Sequence, residues 1–175
     1  MNDDDEPIDV DLKAVRREEA AKARTFEAIG RFLFQFSQLE FTVRIFLSAQ
    51  IGLKKEHFDI VTAPYDFRML CTVTEAIALI RFPRRKEDIK DLFKKFLALN
   101  DNRNRIAHGL WSEAPGRGLI ARHVARTSLK AQIHFKNPDE IEKLSDTTQC
   151  LMREFLFMLG RSPDTASGQQ NPTLP

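Results

Sequence analysis

Apolar residues recur every three or four positions along most of this chain, and this spacing constrains the fold more than any other feature. The clearest stripe reads Phe32, Phe36, Leu39, Val43 and Phe46. A spacing that alternates between three and four residues places these side chains on one face of an α-helix. Because such a helix must bury its apolar face against others, the sequence predicts a helical bundle.

Capping and helix-breaking residues give the limits of four predicted helices. They cover about residues 12–51 (as one helix or two), 64–81, 85–108 and 138–160. Gly52 suits a helix end, Pro64 a first helical turn, and Asn137 a helix cap before Pro138. With an inserted β-hairpin between the last two helices, we predict an all-α bundle of four to five helices.

One charged residue interrupts the apolar stripe of the third predicted helix. That stripe reads Leu92, Phe96, Leu99, Arg103 and Ile106. An ionised guanidinium is costly to bury without partners. We therefore expect Arg103 to face a groove, a subunit interface or an anionic ligand.

Asn104 and His108 follow Arg103 in the last turns of the same helix, and Gly109 suits a helix end in the left-handed conformation. Asn104 and His108 are four residues apart and share a face. Arg103 and His108 are five apart, which means a rotation of about 140° and a rise of about 7.5 Å. Since one ideal helix does not point both at one atom, either Arg103 bends towards His108 or a second copy of the helix completes the site.

The run from Arg103 to His108 resembles the motif of the HEPN superfamily, the higher eukaryotes and prokaryotes nucleotide-binding domains. In that motif an Arg, a polar residue and three to five further residues precede a His on a late helix of a small bundle. The resemblance covers about residues 22–110 and the last helix, and residues 111–137 look like an insertion. It implies a homodimeric, metal-independent endoribonuclease. In it His108 exchanges the proton of a ribose 2′-hydroxyl, Arg103 stabilises the phosphate charge and Asn104 positions either group.

The insertion is β-prone and basic. Residues 119–126 and 130–136 predict a hairpin with a two-residue loop at Ser128 and Leu129, which places Val124 opposite Ile133 and His123 opposite His134. Its Lys and Arg residues, in a stretch from 114 to 138 without any acid, are Arg117, Arg122, Arg126, Lys130 and Lys136. They either follow an RNA backbone or form a charged edge that resists aggregation.

Glu40 borders the apolar stripe of the first helix. It either supports the site, by pairing with Arg103 or orienting His108, or is a surface residue beside the stripe. The two cysteines, Cys71 and Cys150, are expected to be buried, reduced thiols. Because no further Cys or His lies at ligand spacing, we expect neither a metal nor a cofactor.

The two ends of the chain differ from its middle in composition. Residues 1–10 are rich in Asp and residues 162–175 in Pro and small polar residues, so both are expected to be disordered around one domain at 11–161. No apolar stretch is long enough to span a bilayer, and the acidic start is unlike a signal peptide. These features predict a cytoplasmic protein without a membrane association.

Three classes of function remain. The first is the ribonuclease, which the intact Arg103 and His108 favour. The second is a dimer that binds RNA or a nucleotide without cutting it. The third is a scaffold or the partner of another protein, for example in a toxin–antitoxin or phage-defence pair, as for several relatives in that superfamily.

Overall fold

The computed structural model describes residues 12–114, 118–124 and 131–159, and of residues 113–114, 118–124 and 131–132 it describes only the backbone. Within these ranges it has five α-helices and three β-strands: α1 Leu12–Gln50, α2 Phe58–Thr62, α3 Phe67–Arg81, α4 Lys86–His108, β1 Leu110–Ala114, β2 Gly118–Val124, β3 Ala131–Phe135 and α5 Pro138–Leu159. The predicted fold class, an all-α bundle with a small β insertion, is confirmed. The predicted disordered ends, 1–10 and 162–175, lie outside the described residues.

Helix limits follow from capping chemistry, with one difference from the prediction. α1 is one continuous helix of 39 residues, and after it Gly52 has a φ of 63°, as a glycine at a helix end can. Asn137 caps α5, since its Oδ1 accepts a hydrogen bond from the Glu140 N–H at 3.2 Å. α3 starts at Phe67 and not at Pro64, because the Asp66 carboxylate accepts from the Met69 N–H at 2.7 Å and sets the first turn there.

Two arginines satisfy carbonyl groups at helix ends, where no intrahelical donor is available. Arg81 donates to the carbonyl of Gln50, the last residue of α1, at 3.1 Å. Arg85 donates to the carbonyl of Met158 near the end of α5. These contacts help to fix the C-terminal turns of two long helices.

Contacts between Cα atoms divide the chain into two compact units, residues 1–38 with 99–148 and residues 39–98 with 149–175. The predicted single domain at 11–161 stays a prediction. The core of the second unit is aromatic. Phe155 is fully buried, and its ring lies 5.1 Å from Phe46, 6.1 Å from Phe93 and 5.6 Å from Phe96, centroid to centroid. Tilted and edge-on rings at these separations add to the hydrophobic gain of burial.

In the first unit, the insertion is a three-stranded antiparallel sheet in the order β1-β2-β3, not only a hairpin. The predicted register is wrong by two residues: Val124 lies opposite Ala131, and His123 opposite Gln132. This shift is already present at Val124 and His123. A separate irregularity lies between Ala121 and Arg122, which pair with Phe135 and Ile133, so that His134 is an additional residue in β3. Because the error is an even number of residues, Val124 and Ile133 keep the faces that the prediction gave them.

β1 follows α4 after one residue, Gly109, and the left-handed φ expected at Gly109 is found at Gly52 instead. Trp111, Ala121 and Phe135 lie in one row across the three strands. Since the residue between them is small, the rings of Trp111 and Phe135 approach to 6.4 Å and stack with an angle of 12°. Phe135 is buried there.

The cysteines differ from each other. Cys71 is buried in α3 as expected, whereas Cys150 is exposed on α5, so the prediction of two buried thiols is wrong for Cys150. Burial raises the pKa of the Cys71 thiol from 9.0 to about 12, with the carboxylates of Glu75 and Glu40 acting in the same direction.

A thiol with a raised pKa makes the fold sensitive to alkali. In the unfolded chain Cys71 ionises near pH 9 and in the folded chain near 12, so between these values the folded state binds more protons and stability falls as pH rises. Relative to Cys71→Val, we expect the wild type to lose about 1.4 kcal/mol per pH unit in this window, as measured by urea unfolding with reductant. Cys150→Ser is the matched control and keeps the wild-type slope. Parallel curves for wild type and Cys71→Val would contradict the assignment.

Candidate functional site

The stripe on α4 has the predicted burial, with Arg103 as its exception. Leu92, Phe96, Leu99 and Ile106 are buried. Arg103 lies in the same stripe but is only half-buried. A long cationic side chain can therefore rest its methylene groups on the core and keep its guanidinium in contact with solvent.

Asn104 is the hydrogen-bond partner of Arg103. Its Oδ1 accepts from Nη1 of Arg103 at 3.0 Å, and both side chains are half-buried. A guanidinium has five N–H donors. Among the described residues the structure gives Arg103 no other acceptor, so its remaining donors are available to a phosphate. The next pair along the helix is similar, since Arg105 donates to Oδ1 of Asn102 at 3.1 Å.

His108 is the last residue of α4 and its side chain is exposed. In the described part of the chain no group hydrogen-bonds its imidazole. The rotation of about 140° and the rise of about 7.5 Å between Arg103 and His108 apply to this continuous helix. Arg103 turns to the adjacent Asn104 and not to His108. Within one chain the two side chains are not brought together.

Trp111 fixes the end of α4, and the sequence interpretation missed it. Its indole Nε1 donates to the carbonyl of Ile106 at 3.0 Å, which satisfies one of the carbonyls left open in a last helical turn. Its ring stacks on Phe135 of β3. Trp111 thus holds the turn that carries His108. As the one tryptophan of the chain, three residues after His108, it could have been marked from the sequence.

Glu40 has a partner on its own helix. Its carboxylate accepts from Nη2 of Arg44 at 2.6 Å, and Arg44 also donates to the carbonyls of Thr62 and Tyr65. Arg44 thereby holds the segment around α2 on α1. The predicted supporting role of Glu40 towards Arg103 or His108 stays a prediction, and the role that the contacts give it is to orient Arg44.

The five basic residues of the insertion are described unequally. Arg117, Arg126 and Lys130 lie outside the described residues, and of Arg122 only the backbone is described. Arg122 is opposite Leu110 on one side and Ile133 on the other, in a row whose two aliphatic side chains are exposed. Lys136 follows β3, is exposed, and donates its backbone N–H to the Glu140 carboxylate at 3.1 Å. Their role as RNA contacts stays a prediction.

The described residues form neither a metal-binding cluster nor a membrane-spanning helix. Residues 12–114, 118–124 and 131–159 contain no group of three or more His, Cys, Asp or Glu side chains arranged to hold a metal ion. No helix within the same ranges combines the length and the apolar character needed to cross a bilayer.

Comparisons with protein-family models, with curated proteins and with solved structures give no match for this chain. We therefore infer function from the residues of α4 and from the chemistry that they can perform.

Proposed function

We propose that the chain is a metal-independent endoribonuclease that acts as a homodimer. The observation that carries the proposal is Arg103, a half-buried guanidinium within an otherwise buried apolar stripe, whose protein partner among the described residues is Asn104. A cation kept at this position without a carboxylate partner suits an external anion. His108 at the end of the same helix supplies a group that can exchange protons.

The proposed reaction uses the nucleophile that RNA itself carries. A neutral His108 takes the proton of the ribose 2′-hydroxyl, and the 2′-oxygen attacks the adjacent phosphorus. The bond to the 5′-oxygen breaks and that oxygen leaves as a hydroxyl after it gains a proton from water or from a protonated His108. Arg103 stabilises the charge that grows on the phosphate oxygens. The products are a 2′,3′-cyclic phosphate and a 5′-hydroxyl end, and we place the activity in the cytoplasm.

We propose that each active site takes Arg103 from one copy and His108 from the other. The support is the geometry of α4, where the two side chains are about 140° apart and Arg103 turns to Asn104. Two-fold symmetry would then place one Arg and one His in each of two equivalent sites.

A heterodimer tests this arrangement. We expect Arg103→Ala and His108→Ala homodimers to be inactive, and their heterodimer, purified through a different tag on each chain, to recover about half of the wild-type activity because one of its two sites is intact. RNA cleavage and light scattering are measured together, with a dimer mass of twice 20.2 kDa expected.

The matched control pairs a wild-type chain with a chain that carries both substitutions. In this heterodimer neither shared site is intact, so it is expected to be inactive, although a site contained within one chain would remain active. The shared site would be rejected if this control heterodimer were active and the heterodimer of Arg103→Ala with His108→Ala were inactive. A monomer mass for the active protein would also reject it.

We further propose that Arg117, Arg122, Arg126, Lys130 and Lys136 follow the RNA backbone. The support is their charge, without an acid between residues 114 and 138, and the exposure of Lys136. Phosphate contacts of this kind bind RNA without selecting its sequence.

The alternative is a dimer that binds RNA, a nucleotide or another protein without cleavage, as in a toxin–antitoxin or phage-defence pair. The exposed imidazole of His108 favours it, because catalytic histidines are usually oriented by a hydrogen bond to their second nitrogen, and among the described residues His108 accepts or donates none.

A further inference from the structure

An exposed aromatic surface lies on α1, opposite the face that the chain buries. The side chains of Phe26 and Phe34 are 62% and 64% exposed. With Gly30 midway between them, they occupy a sector of about 80° on the helix. The α1 residues of the same unit that the chain buries, Thr25, Ala28, Phe32 and Phe36, face the other side.

No contact among the described residues explains Gly30. Within a helix, glycine is unfavourable relative to alanine because it gives up more backbone freedom. In the described part of the chain, a Cβ at Gly30 would meet nothing within 4 Å, and no positive φ requires a glycine there. A glycine at this position, between two exposed phenylalanines, fits a helix backbone that is approached closely by a partner beyond the described residues.

We propose that the Phe26–Gly30–Phe34 face binds the same face of a second copy of the chain, with the two α1 helices antiparallel. The arrangement is symmetric about Gly30, since each Phe is four residues from it. A two-fold axis at Gly30 therefore places Phe26 of one copy opposite Phe34 of the other, twice, as a self-complementary interface requires. Ala23 and Ser37, both small and exposed, also lie opposite each other about that axis.

The exposed area is of the right order for the centre of such an interface. Phe26 and Phe34 leave about 250 Å² of apolar surface per copy, so two copies bring about 500 Å² to an interface of the usual total, roughly 1,200–2,000 Å². The exposed ion pair of Glu27 and Arg31, 3.0 Å apart, lies beside this surface and supplies a polar rim. The interface is on a different helix from Arg103 and His108 and does not depend on ribonuclease activity.

The test is Gly30→Leu, because this substitution has opposite effects on the two states. It improves helix propensity, and its Cβ meets no described atom within 4 Å in a single chain, whereas a leucine on the two-fold axis separates the paired backbones. By analytical ultracentrifugation we expect the wild-type protein to have twice the mass of Gly30→Leu at the same micromolar concentration. We also expect the Tm to rise with concentration for the wild type and to be independent of concentration for the variant.

Two further variants serve as a second test of the interface and as a control. Phe34→Ser is expected to halve the mass as Gly30→Leu does, and Ile80→Ser, which removes a side chain that is 79% exposed on α3, is expected to keep the wild-type mass. A monomeric wild-type protein, including one that binds lipid vesicles instead, overturns the proposal. So does an assembly that Gly30→Leu leaves intact. The two failures differ in what they mean for the ribonuclease proposal: a monomeric wild-type protein also rejects the site shared between Arg103 and His108, whereas an assembly that Gly30→Leu leaves intact rejects only the α1 interface.

Discussion

His108→Ala is expected to reduce the rate of RNA cleavage by about 10² to 10⁴, the usual contribution of a positioned general acid or base. The alanine side chain cannot accept the proton of the 2′-hydroxyl. Because His108 is exposed, the variant is expected to fold as the wild type does. Cleavage of a structured RNA is measured in EDTA, with DNA as a substrate that lacks the nucleophile. The product end is expected to be a 2′,3′-cyclic phosphate or its 3′-phosphate hydrolysis product.

His57→Ala is the matched control, since His57 is also exposed but lies in the 3-10 turn before α2. Its activity is expected to equal that of the wild type. Arg103→Lys is expected to be a poor enzyme, because an ammonium group cannot reproduce the planar fork of a guanidinium on a phosphate. The losses at Arg103 and His108 are not expected to add, because both residues serve one transition state. Wild-type protein that leaves RNA intact, or His108→Ala protein that cuts as well, would falsify the ribonuclease proposal.

Phe155→Ala is expected to destabilise the protein by about 3–5 kcal/mol, which is a large part of the stability of a typical domain. The phenyl ring is fully buried, and three other rings lie within 6.1 Å of it, centroid to centroid. Removing it leaves a cavity that aromatic neighbours with fixed geometry fill poorly. Urea unfolding followed by circular dichroism measures the change.

Phe157 provides the control two residues further along α5. Its side chain is 65% exposed, so Phe157→Ala is expected to change stability by no more than about 0.5 kcal/mol. A loss below about 1 kcal/mol for Phe155→Ala, or equal losses for the two variants, would show that the aromatic cluster is not the centre of stability that its burial indicates.

The sequence predicts the long helices well because their signals are repeated. The stripe of α4 offers an apolar side chain at every turn, and Arg103 stands out only because its neighbours in that stripe are buried. The start of α5 is equally predictable, since Asn137 and Pro138 favour the same position. The start of α3 is not predictable in the same way, because Pro64 and Asp66 are both good starting residues. Only the hydrogen bond from the Met69 N–H to the Asp66 carboxylate distinguishes them.

The β insertion was harder to predict because its strands are short, and an alternating pattern fixes which face a residue takes but not which residue it pairs with. An alternating pattern does not indicate the additional residue at His134. β1 follows α4 after one residue, so the sequence does not separate the two elements. The pairing of Glu40 with Arg44 was readable, since the two residues are four apart on one helix. The hydrogen bond between Arg103 and Asn104 joins adjacent residues, and a contact between adjacent residues produces no periodic pattern in the sequence.

The position of Trp111 gives the protein an internal optical probe. The chain has one tryptophan, and its indole is held by the carbonyl of Ile106 and by the ring of Phe135. Intrinsic tryptophan emission of the unlabelled protein therefore originates entirely from the turn that ends α4, three residues from His108. A nucleotide that stacks nearby, or a last turn that unwinds, changes the polarity around that one indole. Fluorescence can thus follow occupancy and local melting at this end of the helix separately from unfolding of the aromatic core around Phe155.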